Sequence, residues 1–121
     1  MPPKATSTNA LNKKEIDASC GVAFTLSLIG GRWKPAILWA LLDGRKRYSE
    51  LKRTIHQVSE RMLTAQLREL EEHGLISRHV FPEVPPRVEY ELTELGWSMK
   101  GLLQQISDWG DVHRQPETAQ L

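Results

Sequence analysis

The chain lacks the features that mark several large classes of protein. It has 121 residues and a single cysteine, Cys20, so intrachain disulfides and thiolate zinc sites within one chain are excluded. No stretch approaches the roughly 18–20 consecutive apolar residues of a membrane span. The first residues are polar and have no apolar segment of the kind found in secretory signals. We therefore expect a cytoplasmic protein with no membrane partner.

Sequence signatures of catalysis are missing as well. There is no phosphate-cradling glycine loop, nucleophile elbow or zinc motif. The four histidines include no close pair at the spacing of metal ligands. We therefore predict that the chain is not an enzyme and binds neither a metal ion nor a cofactor.

Charge is nearly balanced overall but unevenly distributed. The chain has 16 Lys and Arg against 15 Asp and Glu. Residues 30–68 hold nine basic and three acidic residues, a net charge of +6, whereas residues 69–121 hold four basic and ten acidic residues, a net charge of −6. Such an asymmetry indicates an electrostatic partner. We expect the basic block to face DNA and the acidic block to form the opposite side.

Hydrophobic periodicity predicts a mainly α (α+β) chain. The run at residues 21–29 is apolar around its whole circumference, so in such a small protein one side should face a second subunit. Ser49 is the expected N-cap of a third helix, and Ser59 that of a fourth, which Gly74 ends. The other predicted elements are helices at 21–29 and 33–42, strands at 75–81 and 87–92, and one long final helix capped by Thr93.

The third and fourth helices, joined by a short connector, form a candidate helix-turn-helix, and the two strands form a two-stranded β wing. An α-helix fits the major groove of DNA, and its N-terminal residues usually meet the base edges. The residues predicted to contact DNA are Ser59, Arg61, Thr64, Ala65 and Arg68 on the fourth helix, Lys46, Arg47, Ser49, Lys52 and Arg53 before it, and Arg87 beside the wing tip.

These segments resemble the HxlR-type winged helix-turn-helix transcriptional regulators of bacteria, a MarR-like family. The resemblance covers roughly residues 18–112. It rests on Gly30-Gly31 with Trp33-Lys34, Tyr48 to Leu51, Leu63-Thr64 with Leu67 to Glu71, and Pro82 to Tyr90 with Leu92 to Gly96.

What the resemblance implies is a homodimer that associates through its first and last helices and binds a pseudo-palindromic operator on double-stranded DNA. Cys20 aligns with a family cysteine that some members use as a sensor of oxidants or electrophiles. Trp97 departs from the polar or basic residue expected there, and its role is open.

Several alternatives stay open at the level of sequence. Cys20 is either a small apolar packing residue or a thiol sensor. A small-molecule effector would need a hydrophobic pocket, most naturally at the dimer interface. A winged helix that binds protein rather than DNA is the alternative function, against which the cationic face of the fourth helix argues. We expect the domain at residues 16–114, between disordered tails at 1–15 and 115–121.

Overall fold

The structure is a computed structural model, and it describes residues 20–115. The tails predicted at residues 1–15 and 115–121 lie outside the described residues, apart from Gln115. Among residues 20–115 no helix has the length and apolar character that a membrane span requires. The elements in chain order are α1 (Gly21–Ile29), α2 (Trp33–Leu41), β1 (Lys46–Arg47), α3 (Tyr48–Thr54), α4 (Glu60–Glu72), β2 (Ile76–Phe81), β3 (Arg87–Leu92), α5 (Glu94–Trp97) and α6 (Lys100–His113).

One hydrophobic core joins the helices to the base of the sheet. Leucine and isoleucine side chains on one face of α2 and of α4 are buried against each other and against the start of β2. A single residue of α6, Leu103, reaches this core as a fully buried side chain. The core therefore fixes α4 rigidly to α2 and β2, while most of α6 lies outside it.

The ends of α4 form as the sequence predicts. The Ser59 hydroxyl accepts a hydrogen bond from the Met62 N–H at 3.0 Å, which satisfies one of the unpaired amides of the first turn. Gly74 follows the helix with a φ of 76°, the left-handed conformation that glycine adopts without steric cost. Both capping predictions are confirmed.

The start of α3 differs from the prediction. The helix begins at Tyr48, with Arg47 in the N-cap position, so Ser49 lies inside the first turn and is not the cap. The carboxylate of Glu50 accepts the Arg47 N–H at 2.8 Å instead. A glutamate three residues into a helix supplies this bond by reaching back, which removes the need for a serine cap.

The sheet has one more strand than the predicted wing. The short strand β1 pairs antiparallel with β3, Lys46 opposite Tyr90 and Arg47 opposite Glu89, and the strand order is β1-β3-β2. Two residues are too few to show an alternating pattern, so the sequence gives no sign of this strand. Its consequence is that α3 begins directly at the edge of the sheet.

The predicted single final helix is two helices. Thr93 caps the first, α5, by accepting the Gly96 N–H at 3.1 Å. The chain then tightens at Ser98, whose hydroxyl donates to the Leu95 carbonyl, and the Met99 N–H bonds to Gly96 three residues back. Hydroxyl bonds of this kind compete with the regular helical ladder and bend it. The break at Ser98 and Met99 separates α5 from α6.

Candidate nucleic-acid interface

Helix α4 has one buried face and one exposed face. Leu63, Leu67 and Leu70 are almost completely buried in the core. Arg61 and Arg68 are exposed on the opposite side, and within residues 20–115 neither belongs to an ion pair. The helix therefore presents two guanidinium groups that no carboxylate in the described part of the chain neutralises.

A groove of about 760 Å³ runs between this helix and the β2–β3 hairpin. Its walls come from the start of α3, the exposed side of α4 and the tip of the hairpin. Four arginines contribute to it against two glutamates, so its lining is cationic. The lining residues are Arg47, Tyr48, Ser49, Thr64, Arg68, Glu71, Arg78, Glu83, Pro85, Pro86, Arg87, Val88 and Tyr90.

The groove collects part of the predicted contact set. Arg47, Ser49, Thr64, Arg68 and Arg87 meet there. The others do not line it. Lys52 and Arg53 lie on α3, Lys46 lies on β1, Ser59 caps α4, and Arg61 and Ala65 lie on the exposed and half-buried sides of α4.

Arg78 is a groove residue that the predicted set lacks. Alternation along β2 places it on the same side of the sheet as the buried Ile76, and it stands opposite Tyr90 in the register. That side of the hairpin packs on the core at its base and opens into the groove near its tip. The period of two along residues 76–81 is the signal that identifies Arg78.

The other side of the hairpin carries an ion-pair network. Arg45 contacts Glu89 at 3.5 Å and Glu91 at 2.6 Å, and Glu91 also contacts His79 at 2.7 Å. The hydrogen bond from Arg45 lowers the pKa of Glu91 and raises that of Arg45 itself. Arg45 therefore pairs with carboxylates of the sheet and is not a free cation of the basic block.

Arg87 lies beside the wing tip as expected, but its charge is already matched. Its guanidinium covers the ring of Phe81 at 4.1 Å and contacts Glu83 at 2.9 Å and Glu89 at 3.4 Å. Glu83 also lines the groove, together with Glu71. The acidic half of the chain is thus not confined to the opposite side of the protein, because the fold brings these carboxylates next to arginines.

Lys34 is a second member of the basic block that is already paired with a carboxylate. Its ammonium contacts the Glu69 carboxylate at 2.5 Å, and only 10% of its side chain is exposed. This hydrogen bond lowers the pKa of Glu69. The net charge of +6 along residues 30–68 therefore overstates the charge available to a partner.

Tyr48 is another groove residue outside the predicted set. Its hydroxyl lies 3.2 Å from the Glu60 carbonyl and 3.1 Å from the Thr64 hydroxyl. It thereby ties the first residue of α3 to the first turn and a half of α4. Sequence gives no signal for this contact, since it depends on how the two helices cross.

Large apolar side chains remain exposed on α1 and α6. Val22, Phe24 and Leu26 are exposed along α1, and Leu102, Ile106, Trp109 and Val112 along α6. The apolar side chains of this last segment therefore divide, because Met99 and Leu103 pack on the core and the others lie in solvent. Patches of this kind mark interaction sites in soluble proteins. Trp97 is also exposed, and Cys20 is exposed at the N-cap of α1.

Comparison with known proteins identifies relatives over most of the chain. The HxlR-like helix-turn-helix family matches residues 28–118. The uncharacterized HTH-type transcriptional regulator YkvN of Bacillus subtilis (strain 168) is 48% identical over 102 residues, which cover 84% of this chain and 86% of that protein.

Two solved structures share the fold at high sequence identity. The redox regulator HypR in its oxidized form is 44% identical, with a TM-score of 0.76 over 80% of this chain and 100% of that chain. The reduced form of the transcriptional regulator YodB from B. subtilis is 38% identical, with a TM-score of 0.67 over 80% of this chain and 96% of that chain. With its two-stranded hairpin beside a helix-turn-helix, the chain belongs to the HxlR-like family of winged helix-turn-helix transcriptional regulators, which are DNA-binding proteins and not enzymes.

Proposed function

We propose that the protein binds a pseudo-palindromic operator as a homodimer and regulates transcription from it in the cytoplasm of a bacterium. The observation that carries the proposal is the exposed face of α4, where Arg61 and Arg68 have no ion pair among residues 20–115. Their guanidinium groups have the donor geometry that pairs with guanine O6 and N7 in the major groove. An exposed apolar face would have favoured a protein partner instead.

The groove beside α4 suits one sugar-phosphate strand. When α4 enters the major groove of the DNA, the hairpin reaches the next minor groove. The DNA strand that separates these two grooves then passes along the protein's own groove beside α4. Arg47, Arg68 and Arg78 would meet its phosphates from both walls. Lys52 and Arg53 on α3 would contact the backbone on the other side of α4.

Dimerisation would cover the exposed apolar side chains of α1 and α6. Phe24, Ile106 and Trp109 are each about half exposed or more, which is costly for large apolar groups in water. A two-fold dimer through these helices would place two copies of α4 in major grooves about 10 bp apart or a small multiple of that.

We also propose that Cys20 senses oxidants or electrophiles. Its thiol is exposed at the N-cap of α1, next to the apolar surface of that helix. The comparison structures include a redox regulator in its oxidized form. Since the sequence has one cysteine, an oxidant would take up two electrons as the Cys20 thiol joins either its counterpart in the second protomer or a small thiol, with the loss of two protons.

The test is selection of duplexes from a random pool, followed by titration of the selected and a scrambled duplex at several salt concentrations. We expect the selected duplex to carry two inverted half-sites and to bind more tightly than the scrambled one. The logarithm of the association constant should fall linearly with the logarithm of salt concentration, by about 0.9 for each neutralised phosphate. Equal affinity for both duplexes, or affinity independent of salt, would contradict the proposal.

A further inference from the structure

The phenol of Tyr48 is the one side chain that bridges the two helices of the helix-turn-helix on their groove side within the described residues. Its ring packs against the core, and its hydroxyl reaches α4. There the oxygen Oη lies 3.2 Å from the carbonyl oxygen of Glu60 and 3.1 Å from Oγ1 of Thr64. Thr64 is exposed and lines the groove together with Arg68.

The two contacts fix the direction of the hydrogen bonds. A carbonyl oxygen only accepts, so the single phenol proton of Tyr48 is donated to Glu60. The bond between the two hydroxyls must then run from Thr64 to Tyr48, because the phenol proton is already used. The order of donation is Thr64 to Tyr48 to Glu60.

This order decides what Thr64 offers to a partner. Its only proton points inward to the phenol oxygen, and the remaining lone pairs of Oγ1 face the groove. The hydroxyl of a threonine in mid-helix otherwise rotates between several partners, one of which is the backbone carbonyl of the residue four positions earlier. Here the Tyr48 hydroxyl donates to that carbonyl, which belongs to Glu60. Thr64 therefore acts as a hydrogen-bond acceptor towards a partner in the groove.

We infer that Tyr48 is a specificity-determining residue, which makes Thr64 an acceptor and directs it to a base that carries an exocyclic amino group. The inference rests on the proposed function, in which α4 lies in the major groove. Cytosine N4 and adenine N6 are the amino donors of that groove. Guanine and thymine present only acceptors at the corresponding positions, and an acceptor facing an acceptor leaves both groups unpaired.

The experiment uses the operator obtained by selection. Thr64→Val removes the hydroxyl and keeps the side-chain shape. Binding of this variant and of wild type is compared on operators changed at one base pair at a time. The base pair that wild type distinguishes and Thr64→Val does not is the one that Thr64 contacts. We expect that pair to present an amino group. Replacing the base by an analogue without the amino group should weaken wild-type binding about fivefold, the size of one neutral hydrogen bond, and should not weaken binding of Thr64→Val.

Tyr48→Phe tests the relay itself. It keeps the ring in the core and frees the Thr64 proton, so preference for the amino-bearing base should fall by about fivefold at this pair only. The change should be absent when Tyr48→Phe is combined with Thr64→Val. Equal weakening of Tyr48→Phe on every sequence would assign Tyr48 a structural role and overturn the inference.

The two proposals fail in different ways. A contacted base without an amino group, or an analogue that weakens wild type and Thr64→Val alike, overturns the role of Tyr48 while sequence-specific binding stands. A wild-type protein that selects no sequence overturns the proposed function and the inference with it. If Tyr48→Phe does not fold, the base analogue with Thr64→Val still tests the acceptor role of Thr64, without which the inference fails, because Thr64 is exposed.

Discussion

The ammonium of Lys34 donates a hydrogen bond to the carboxylate of Glu69 and so joins α2 to α4, with Nζ and Oε1 2.5 Å apart. The two partners differ in their access to water, since 10% of the Lys34 side chain and 47% of the Glu69 side chain are exposed. Lys34 therefore depends on Glu69 more than the reverse, because a buried charge without a partner is unfavourable. The pair holds α4 in one rotation about its axis, and with it the direction of its exposed arginines.

The Lys34–Glu69 pair should make folding sensitive to acid. Lys34 lowers the pKa of Glu69 in the folded protein, so the unfolded chain binds the proton more readily. The contribution to stability is complete above the ordinary pKa of glutamate, 4.5, and is lost as the pH falls through the lower folded-state value. We expect the free energy of unfolding, measured in urea from pH 7 to pH 3, to fall less steeply in Glu69→Gln than in wild type.

Glu72→Gln is the matched control for this prediction. Glu72 is exposed on the same helix and, among residues 20–115, belongs to no ion pair. We expect it to keep the wild-type pH dependence. If Glu69→Gln and Glu72→Gln follow the same curve as wild type, the pair contributes nothing to acid sensitivity.

The arginines of α4 and the lysine of α3 should differ in how they affect DNA binding. Arg61→Ala and Arg68→Ala should each cost about 1–3 kcal/mol on the selected duplex and little on a scrambled one, if they pair with base edges. Lys52→Ala should weaken both duplexes alike and lower the salt slope by about one phosphate. Fluorescence anisotropy titrations measure all of these.

Lys100→Ala is the control for loss of a positive charge, because Lys100 is exposed at the start of α6 and lies outside the groove. It should leave both affinities unchanged. Equal losses on the two duplexes from Arg68→Ala would place Arg68 among the phosphate contacts.

Gly96 is required by a close approach of backbone to backbone. A Cβ on Gly96 would meet the Leu75 carbonyl oxygen at a clashing distance, and the Leu92 side chain at 3.1 Å. We expect Gly96→Ala to destabilise the protein by about 1–3 kcal/mol, the usual size of overpacking in a core.

Gly101→Ala is its counterpart, since nothing lies within 4 Å of the added carbon, and it should stabilise by about 0.5–1 kcal/mol through helix propensity. Thermal and urea unfolding measure both changes. Equal stability of the two variants would show that the contacts of Gly96 with Leu75 and Leu92 adjust without strain.

The parts of the fold that sequence predicts are those with local causes. Ser59, Gly74 and Thr93 each act on residues three or four positions away, and a cap is visible in the sequence for that reason. The parts that sequence misses depend on distant partners. Strand β1 exists because β3 lies beside it. The start of α3 is an exception, because its cause is local: the Arg47 N–H bonds to Glu50 three residues away, and the neighbouring Ser49, a favoured cap residue, leads the prediction to the wrong position.

The candidate site divides in the same way. Periodicity separates the buried leucines of α4 from Arg61 and Arg68. Alternation along β2 could have identified Arg78, which the predicted set lacks. The net charge of a sequence segment overstates the charge available to DNA where the fold pairs its basic residues with acidic residues far away in the chain. Lys34 with Glu69 and Arg45 with Glu91 are 35 and 46 residues apart, and no local pattern relates them.

The proposed sensor predicts that DNA binding responds to oxidation through Cys20 alone. Wild-type protein treated with diamide should migrate on a nonreducing gel as a covalent dimer, or gain the mass of a small thiol when one is supplied, and its affinity for the selected duplex should change. Cys20→Ser should show neither change and should bind like untreated wild type. The reactivity requires an accessible sulfur, and the Cys20 thiol is exposed at the N-cap of α1. An identical response of the two proteins would end the role of Cys20.

The exposed apolar side chains of α6 predict how the protein assembles. Ile106 and Trp109 lie on one side of the helix, and both stay exposed in the single chain. A carboxylate placed there would have to be buried without a partner in the dimer, so Ile106→Asp should be monomeric in sedimentation velocity at concentrations where wild type is dimeric. Val84→Asp is the matched control, because Val84 is fully exposed at the hairpin tip. It should remain dimeric.

Since two linked half-sites bind more tightly than one, Ile106→Asp should also lose most of its preference for an operator with two half-sites over one with a single half-site. A monomeric wild type, or a dimer that survives Ile106→Asp together with Trp109→Asp, would place the interface elsewhere.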